Sequence, residues 1–580
     1  MSQSLSPSPQ RSRGHSSSHE RENVSSRING ENGHQTHQGS SALSFNPREY
    51  AERVRDHSET SISNSLYSGQ YFDNLARFLW EPYESTYRET FRQSQPRNKT
   101  RDFAWLYELR TDSPASASSL SLGGRNGKHH STSEDNCLLI LRGYPSPQWL
   151  NELGAKYNID PEFFHRHLSF LVRGADKQQQ MSFVLPSSQR TIFQMPLTSI
   201  GTQANADHSN LATARAKASA KMETYLHNLR VGHGWQCGNS VVRGFTIHDE
   251  KLFTVEQKVT VYVSRIDKTS DRWIAIMWFD CGTDLTQSPE GPWFESPHSK
   301  FHTYFHPTIL FKPNIPFKDH QIRNQSSIAA FSTTTTTTAR DSVHQSASLL
   351  STCYGRSLHP ATMSRDPFYA LAELFSFVSA SEIALLNVIS ARLYDTTDTD
   401  LLDMDPRAIS RAQTKLLHYR RILEEQSHNM SEILTFIKNR AQLEWPQSQT
   451  SKALHAAART EQDFEYLVAR NVLLQKRCEG ALTTIMNNAS ISEARSGVIL
   501  SKRVFKLTLL ASTFVPLSFS TSIFGMNFLQ FESESRGYWV WALVAVPILL
   551  LSILILLWDG AKVRRGLKKL QNMFWDHYIT

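Results

Sequence analysis

Tyr538–Trp558 reads YWVWALVAVPILLLSILILLW, an uncharged run of 21 residues. At about 1.5 Å per residue this is a helix of about 31 Å, close to the roughly 30 Å hydrocarbon core of a bilayer. Tyr538, Trp539 and Trp541 at one end and Trp558 at the other stand where interfacial aromatics belong. A buried helix of a water-soluble domain has no need of so long an uncharged run between aromatic ends. The stretch predicts a membrane-spanning helix.

One segment upstream, Leu507–Phe524 (LTLLASTFVPLSFSTSIF) is also uncharged, but it carries seven hydroxyl residues. Helical spacing puts Val504, Leu507, Ala511, Val515, Ser518 and Ser522 on one stripe. A lipid-facing helix gains nothing from so many hydroxyls, whereas one lining water or packing closely does. The stripe is therefore a candidate pore lining. The alternative is that the hydroxyls bond to carbonyls of their own helix. Pro516 removes one backbone donor in mid-helix and predicts a kink or local loosening.

Only Gly525–Gly537 separates the two segments, so they form a hairpin with both outer ends on one side. Lys502, Arg503 and Lys506 precede the first helix, and Lys562, Arg564, Arg565, Lys568 and Lys569 follow the second. The connecting loop holds Glu532, Glu534 and Arg536. The positive-inside bias then places both termini in the cytosol and the loop outside. The plasma membrane is the expected location, ahead of the vacuolar or mitochondrial one.

Two C-terminal helices, the first closing on Phe524-Gly525-Met526-Asn527-Phe528, resemble the CorA-type family of magnesium transporters. Pro516–Phe519 (PLSF) is similar to the family's first membrane helix. The likeness is close over roughly the last 80 residues; upstream only the order of elements is similar. The resemblance implies a homopentamer whose first helices line a central pore, with Gly525, Met526 and Asn527 forming a selectivity ring at its outer mouth. Magnesium gives up its water reluctantly, so a ring of neutral oxygen acceptors can select the hydrated ion. In that ring Asn527 would accept from first-shell waters and Met526 would pack to hold the turn. Gly525 would let the backbone leave the helix in a tight turn or at positive φ. Glu532 and Glu534 would concentrate cations at the mouth without holding them.

The rest of the chain is polar. Hydrophobic residues make up 39% and the net charge is +8, with a mean hydropathy of −0.42 despite the two apolar helices. Part of the positive charge belongs to the membrane flanks, so it gives no reason to expect nucleic acid as a partner. Five scattered cysteines without Cys-x-x-Cys spacing disfavour a metal cluster or a disulfide framework. The expected organisation begins with a disordered tail over 1–65 and a cytosolic α/β domain over 66–324 with a disordered loop near 112–135. A low-complexity loop follows over 325–355, then helices over 356–450. A stalk helix over 451–527 runs on into the first membrane helix, before the outer loop 528–537, the second span 538–558 and a basic tail 559–580. The fold class is an α+β membrane protein, expected as a pentameric channel.

Within the α/β domain, 103–109 and 137–141 read as strands, Pro147–Tyr157 and 159–168 as helices, and 252–266 with 272–279 as a hairpin. His165 and His167 are two apart on a helix, point in different directions, and read as polar surface instead of a metal pair. Phe464, Leu467, Leu474, Cys478, Ala481 and Ile485 recur at three, four or seven residues, as in an oligomeric stalk. Asp395, Asp398, Asp400, Asp403 and Asp405 cluster in 395–405 without the glycine and glutamate of an EF-hand loop. They read as a solvated turn, or as a regulatory cation site.

No Walker motif, nucleophile elbow or His-Glu-x-x-His occurs, so neither an enzyme nor a cofactor is expected. The reading is a passive divalent-cation channel that transports magnesium, with cobalt or nickel as further candidate ions, embedded in membrane lipid as a homo-oligomer. A scaffold that kept the fold and lost conduction, or a proton-coupled exporter, are the alternatives.

Overall fold

The computed structural model describes residues 46–61, 63, 65–84, 103–111, 116–120, 136–172, 191–203, 211–232, 234–266, 271–294, 303–310, 344–397, 406–525 and 539–554. Among them eight strands form one sheet: β1 (Ala104–Leu109), β2 (Ser116–Ser119), β3 (Asn136–Arg142), β4 (Ile192–Gln203), β5 (Gly244–Ile247), β6 (Leu252–Arg265), β7 (Trp273–Phe279) and β8 (Thr303–Phe305). Their order is β2-β1-β3-β7-β6-β4-β8, with β5 paired to β6 beyond the end of β7. The β3–β7 pair is parallel, with Cys137 opposite Ile274, and the other pairs are antiparallel.

Every residue of β7 (WIAIMWF) is buried, as befits a central strand covered on both faces. Ile274, Ile276 and Trp278 point into a cluster with α1 (Pro47–Ser58), α2 (Asp73–Trp80), α3 (Pro147–Tyr157) and α4 (Pro161–His167). Trp273, Ala275, Met277 and Phe279 point the other way. They join the core formed with α6 (Ala372–Thr397), α7 (Pro406–Lys438) and α8 (Ser451–Gly525). Between β4 and β5, α5 (Leu211–Val231) packs Met222, Tyr225 and Leu229 into a third, smaller cluster around Trp293.

α1 corrects the expectation of a disordered tail reaching to residue 65. Asn46 caps it by accepting from the Arg48 N–H at 3.3 Å, and Pro47 opens its first turn. Tyr50, Ala51 and Val54 form its buried face. The Tyr50 ring lies so close over α3 that a Cβ on Gly154 would come within 2.5 Å of it. Its hydroxyl donates to the Ile159 carbonyl at 2.9 Å. Two further corrections concern Ser-rich segments. Inside the expected 112–135 loop, Ser116–Ser119 pairs with β1. Inside the expected 325–355 loop, Gln345, Ala347, Leu350 and Tyr354 are buried, and Gln345 donates to Gln257 Oε1 at 2.9 Å.

His165 and His167 do point apart, but both are buried, which corrects the surface reading. His165 meets the edges of Tyr71 and Phe72, while His167 stacks on Trp278 with ring centroids 3.9 Å apart. His167 Nε2 lies 3.2 Å from Asp280, a carboxylate with no exposed surface. Arg243 also clasps Asp280 through Nε at 2.8 Å and Nη2 at 2.7 Å, and the Lys258 N–H donates to it at 2.8 Å. Burial alone would raise the Asp280 carboxyl, but Arg243 and the bonds from His167 and Arg243 outweigh it and hold the group well below the usual range. Burial pushes His167 down to about 3, so its ring is neutral. The cluster ties α4 to the β6–β7 pair in the middle of the sheet.

The stripe Phe464, Leu467, Leu474, Cys478, Ala481 and Ile485 is buried, but within the protomer. It packs against α6 and α7: Phe464 meets Phe375 edge-on, and the Cys478 thiol donates to the Leu416 carbonyl at 3.2 Å. The periodicity marks an intramolecular seam, correcting its reading as an oligomer contact.

Candidate ion pathway

Two long helices and one shorter one are apolar enough to concern a membrane: α6, α8 and α9 (Trp539–Leu554). Burial separates them. Half of the apolar stretch of α6 is buried, and its Leu374, Phe375, Val378, Leu386 and Ile389 belong to the main core, whereas only 6% of the α8 stretch is buried. α6 is a core helix, and α8 with α9 supplies the candidate spans.

α8 is 75 residues long, about 110 Å at the α-helical rise. From Met486 to Gly525 its one buried residue is Ser520. Val498, Ile499, Leu500, Phe505, Leu510, Phe514 and Phe519 stand exposed along it, a surface that requires lipid or neighbouring protein. Val504, Leu507, Ala511, Val515, Ser518 and Ser522, the expected lining, are all exposed. Ser512, Thr513, Pro516 and Leu517 are partly covered and Ser520 is 1% exposed, which defines a different face. On α9 the corresponding covered residue is Ala545, at 3%. Ser512, Pro516 and Ser520 recur every four residues, the small-residue spacing that lets membrane helices approach closely. That signal was present in the sequence beside the stripe.

The hydroxyls follow the plainer of the two readings. Thr508 donates to the Val504 carbonyl at 2.9 Å, Ser518 to Val515 at 3.0 Å, Ser520 to Pro516 at 2.6 Å and Thr521 to Leu517 at 3.0 Å. Each oxygen keeps lone pairs free to accept from water. The helix continues through Pro516 without a break.

Gly525 is the last helical residue. Its φ is not in the positive region, and a Cβ added there would meet nothing within 4 Å. The expected positive-φ departure is therefore not what Gly525 provides. Met526, Asn527, Glu532 and Glu534 lie outside the described residues, as do Asp398, Asp400, Asp403 and Asp405. Asp395 is described, and its carboxylate accepts from Arg392 Nη1 at 3.2 Å. Arg392 also pairs with Asp249 on the turn before β6. The described residues hold no group of three or more His, Cys, Asp or Glu side chains placed to bind a metal ion.

The molecule so described has a mixed α/β domain, a helix that runs out of it for about 60 Å, and an apolar partner helix, as a membrane transporter with a cytosolic domain would. Residues 308–560 match the family described as CorA-like Mg2+ transporter protein. The family comprises integral membrane transporters, not enzymes. No curated protein matches the chain. Two solved structures resemble it at 10% identity and a TM-score of 0.33. One is the complete structure of the CorA magnesium transporter from Methanocaldococcus jannaschii, covering 78% of this chain and 96% of that one. The other is the full-length CmaX protein, covering 80% and 99%. Superposition at that level is too loose to carry residue roles across.

Proposed function

We propose that the chain is a passive Mg2+ channel, assembled as a homo-oligomer and expected as a pentamer. The single observation that carries this reading is the family match over residues 308–560, which spans the two apolar helices and the Gly525-Met526-Asn527 junction between them. In the assembled channel Val504, Leu507, Ala511, Val515, Ser518 and Ser522 line the pore. Their exposure on a face other than that of Ser520 supports this role. Asn527 supplies the acceptor ring for the hydrated ion, and Glu532 and Glu534 enrich cations outside. An inside-negative potential of about 100 mV contributes about 4.6 kcal/mol to influx of a doubly charged ion, so no chemical energy source is needed. A cation at the Asp395 end of the acidic stretch would compete with Arg392, which makes a regulatory role there secondary.

Asn527→Ala in full-length protein reconstituted in liposomes tests the reading. Each neutral hydrogen bond lost from the ring is worth about 0.5–1.5 kcal/mol, so losing several lowers Mg2+ uptake at least about tenfold. Uptake is read with an internal magnesium dye, and assembly by size-exclusion chromatography. Wild-type uptake by correctly assembled Asn527→Ala protein would leave a scaffold that merely kept the motif.

A further inference from the structure

A cavity of about 770 Å3 opens between α1, the 3-10 turn Gln70–Phe72, the start of α4 and the end of β6. Its volume falls in the range of small-molecule sites. Three tyrosines line it, Tyr50, Tyr71 and Tyr262, together with Asp160, Glu162, Arg166, Arg53 and His57. Two of the charges are matched locally. Arg166 Nε lies 2.7 Å from Glu162, and Arg53 lies 2.9 Å from Glu49 on the same helix. Asp160 stands differently. Its Oδ1 accepts the Glu162 N–H at 2.9 Å, and among the described residues no ion pair reaches its carboxylate.

The electrostatics of the lining agree with that geometry. Loss of water pushes the Asp160 carboxyl up, more than the Glu162 N–H and Arg166 pull it down. Tyr71 is pushed up to about 12, first by burial, then by Glu162 and Asp160, against a smaller opposing pull from Arg166. Burial and Asp160 also raise Tyr50 and Tyr262. Beside Tyr71 the two carboxylates outweigh Arg166, and beside Tyr50 and Tyr262 Asp160 adds to the effect of burial, so all three phenols face the Asp160 charge.

We infer that this cavity is a binding site for a small organic cation, a protonated amine or quaternary ammonium seated against Tyr50, Tyr71 and Tyr262 with Asp160 as its counter-charge. Aromatic faces attract weakly hydrated cations of this kind. Mg2+ fits poorly, because it demands a tight octahedral oxygen shell that Asp160 among rings, with Glu162 held by Arg166, does not build. An anion fits poorly too, because both guanidiniums of the lining, Arg166 and Arg53, already have a carboxylate, Glu162 and Glu49.

The test is calorimetric titration of the purified full-length protein in detergent with benzyltrimethylammonium. Saturable binding of one equivalent per protomer is expected. Asp160→Asn and Tyr71→Leu should each weaken it at least tenfold, while Tyr71→Phe, which keeps the ring, should hold it within about threefold. Asn caps a helix as well as Asp does, so Asp160→Asn leaves the start of α4 intact. Asn527→Ala should bind like the wild type, which separates the cavity from any block of the pore. Lowering the pH until Asp160 protonates should abolish binding. Absence of saturable binding, affinity unchanged by Asp160→Asn, or uptake of inorganic phosphate in place of the ammonium would overturn the assignment.

Discussion

At Gly525 one residue separates what a protomer needs from what an assembly needs. Among the described residues an alanine methyl meets nothing there, and the backbone is in no conformation that excludes it. The described residues therefore give no reason for glycine. The pore proposal does, because copies converging on an axis bring this position next to its equivalents, where only a hydrogen fits. Gly525→Ala should then leave the thermal melt and the assembly profile unchanged while lowering Mg2+ uptake at least about tenfold, a loss of about 1.4 kcal/mol or more in the conducting arrangement. A variant that transports normally would place Gly525 away from any narrow ring. The same reasoning bears on Asp395: its sequence position suggested a cation ligand, but its partner, Arg392, lies only one turn back on the same helix.

Helix α6 shows how an element's charge pattern becomes a pH response. Glu382 lies in its middle with no exposed surface, facing β4. One oxygen accepts from the Thr198 hydroxyl at 3.3 Å and the other has no hydrogen-bond partner. Burial, reinforced by Glu256, pushes the carboxyl up to about 8, with only the Thr198 bond opposing. A folded pKa above the unfolded value means a contribution that is complete below about pH 4.5 and is lost as pH rises through about 8. His167, held down to about 3, acts in the opposite sense: stability falls as pH drops below about 6.5, where the unfolded imidazole takes up a proton first. Glu382→Gln keeps a neutral acceptor for Thr198 and removes the alkaline loss. It should match the wild type at pH 5 and exceed it at pH 8 by on the order of 2 kcal/mol, a few degrees in Tm by differential scanning fluorimetry. Equal melting temperatures at both pH values would mean that the carboxyl ionises without cost. Elements of this kind were legible where the pattern was strong: α3 and the β6–β7 hairpin fall where it puts them, and α6 and α7 lie within the helical stretch expected over 356–450. α1 and β2 were not, because three buried apolar side chains in a polar tail, or four residues of a Ser-rich stretch, fall below what periodicity can register. The Phe464–Ile485 stripe shows a second limit. Spacing says that a face is buried, but not whether the partner is the same chain or another copy.

At the scale of the whole molecule the open question is which way the hairpin points. Ile485 is the last α8 residue buried in the domain core, and Lys502, Arg503 and Lys506 follow it about 25 Å further along the helix. That distance carries the helix clear of the domain before the first uncharged stretch begins. In the proposed hairpin the basic cluster would stand at the membrane face on the domain's side, with the five basic residues after the second span beside it. On the proposed topology the positive-inside bias would put both clusters, and with them the α/β domain, in the cytosol. The five native cysteines are free and serve as internal controls, since all precede the first span and share the domain's side. In intact cells an impermeant maleimide should leave the wild-type protein and Ser40→Cys unlabelled and should label Ser533→Cys in the connecting loop. After permeabilisation Ser40→Cys should label as well. Labelling of Ser40→Cys and protection of Ser533→Cys in intact cells would invert the molecule, turning the Glu532 and Glu534 loop toward the cytosol and making the Asn527 ring an inner mouth instead of an outer one.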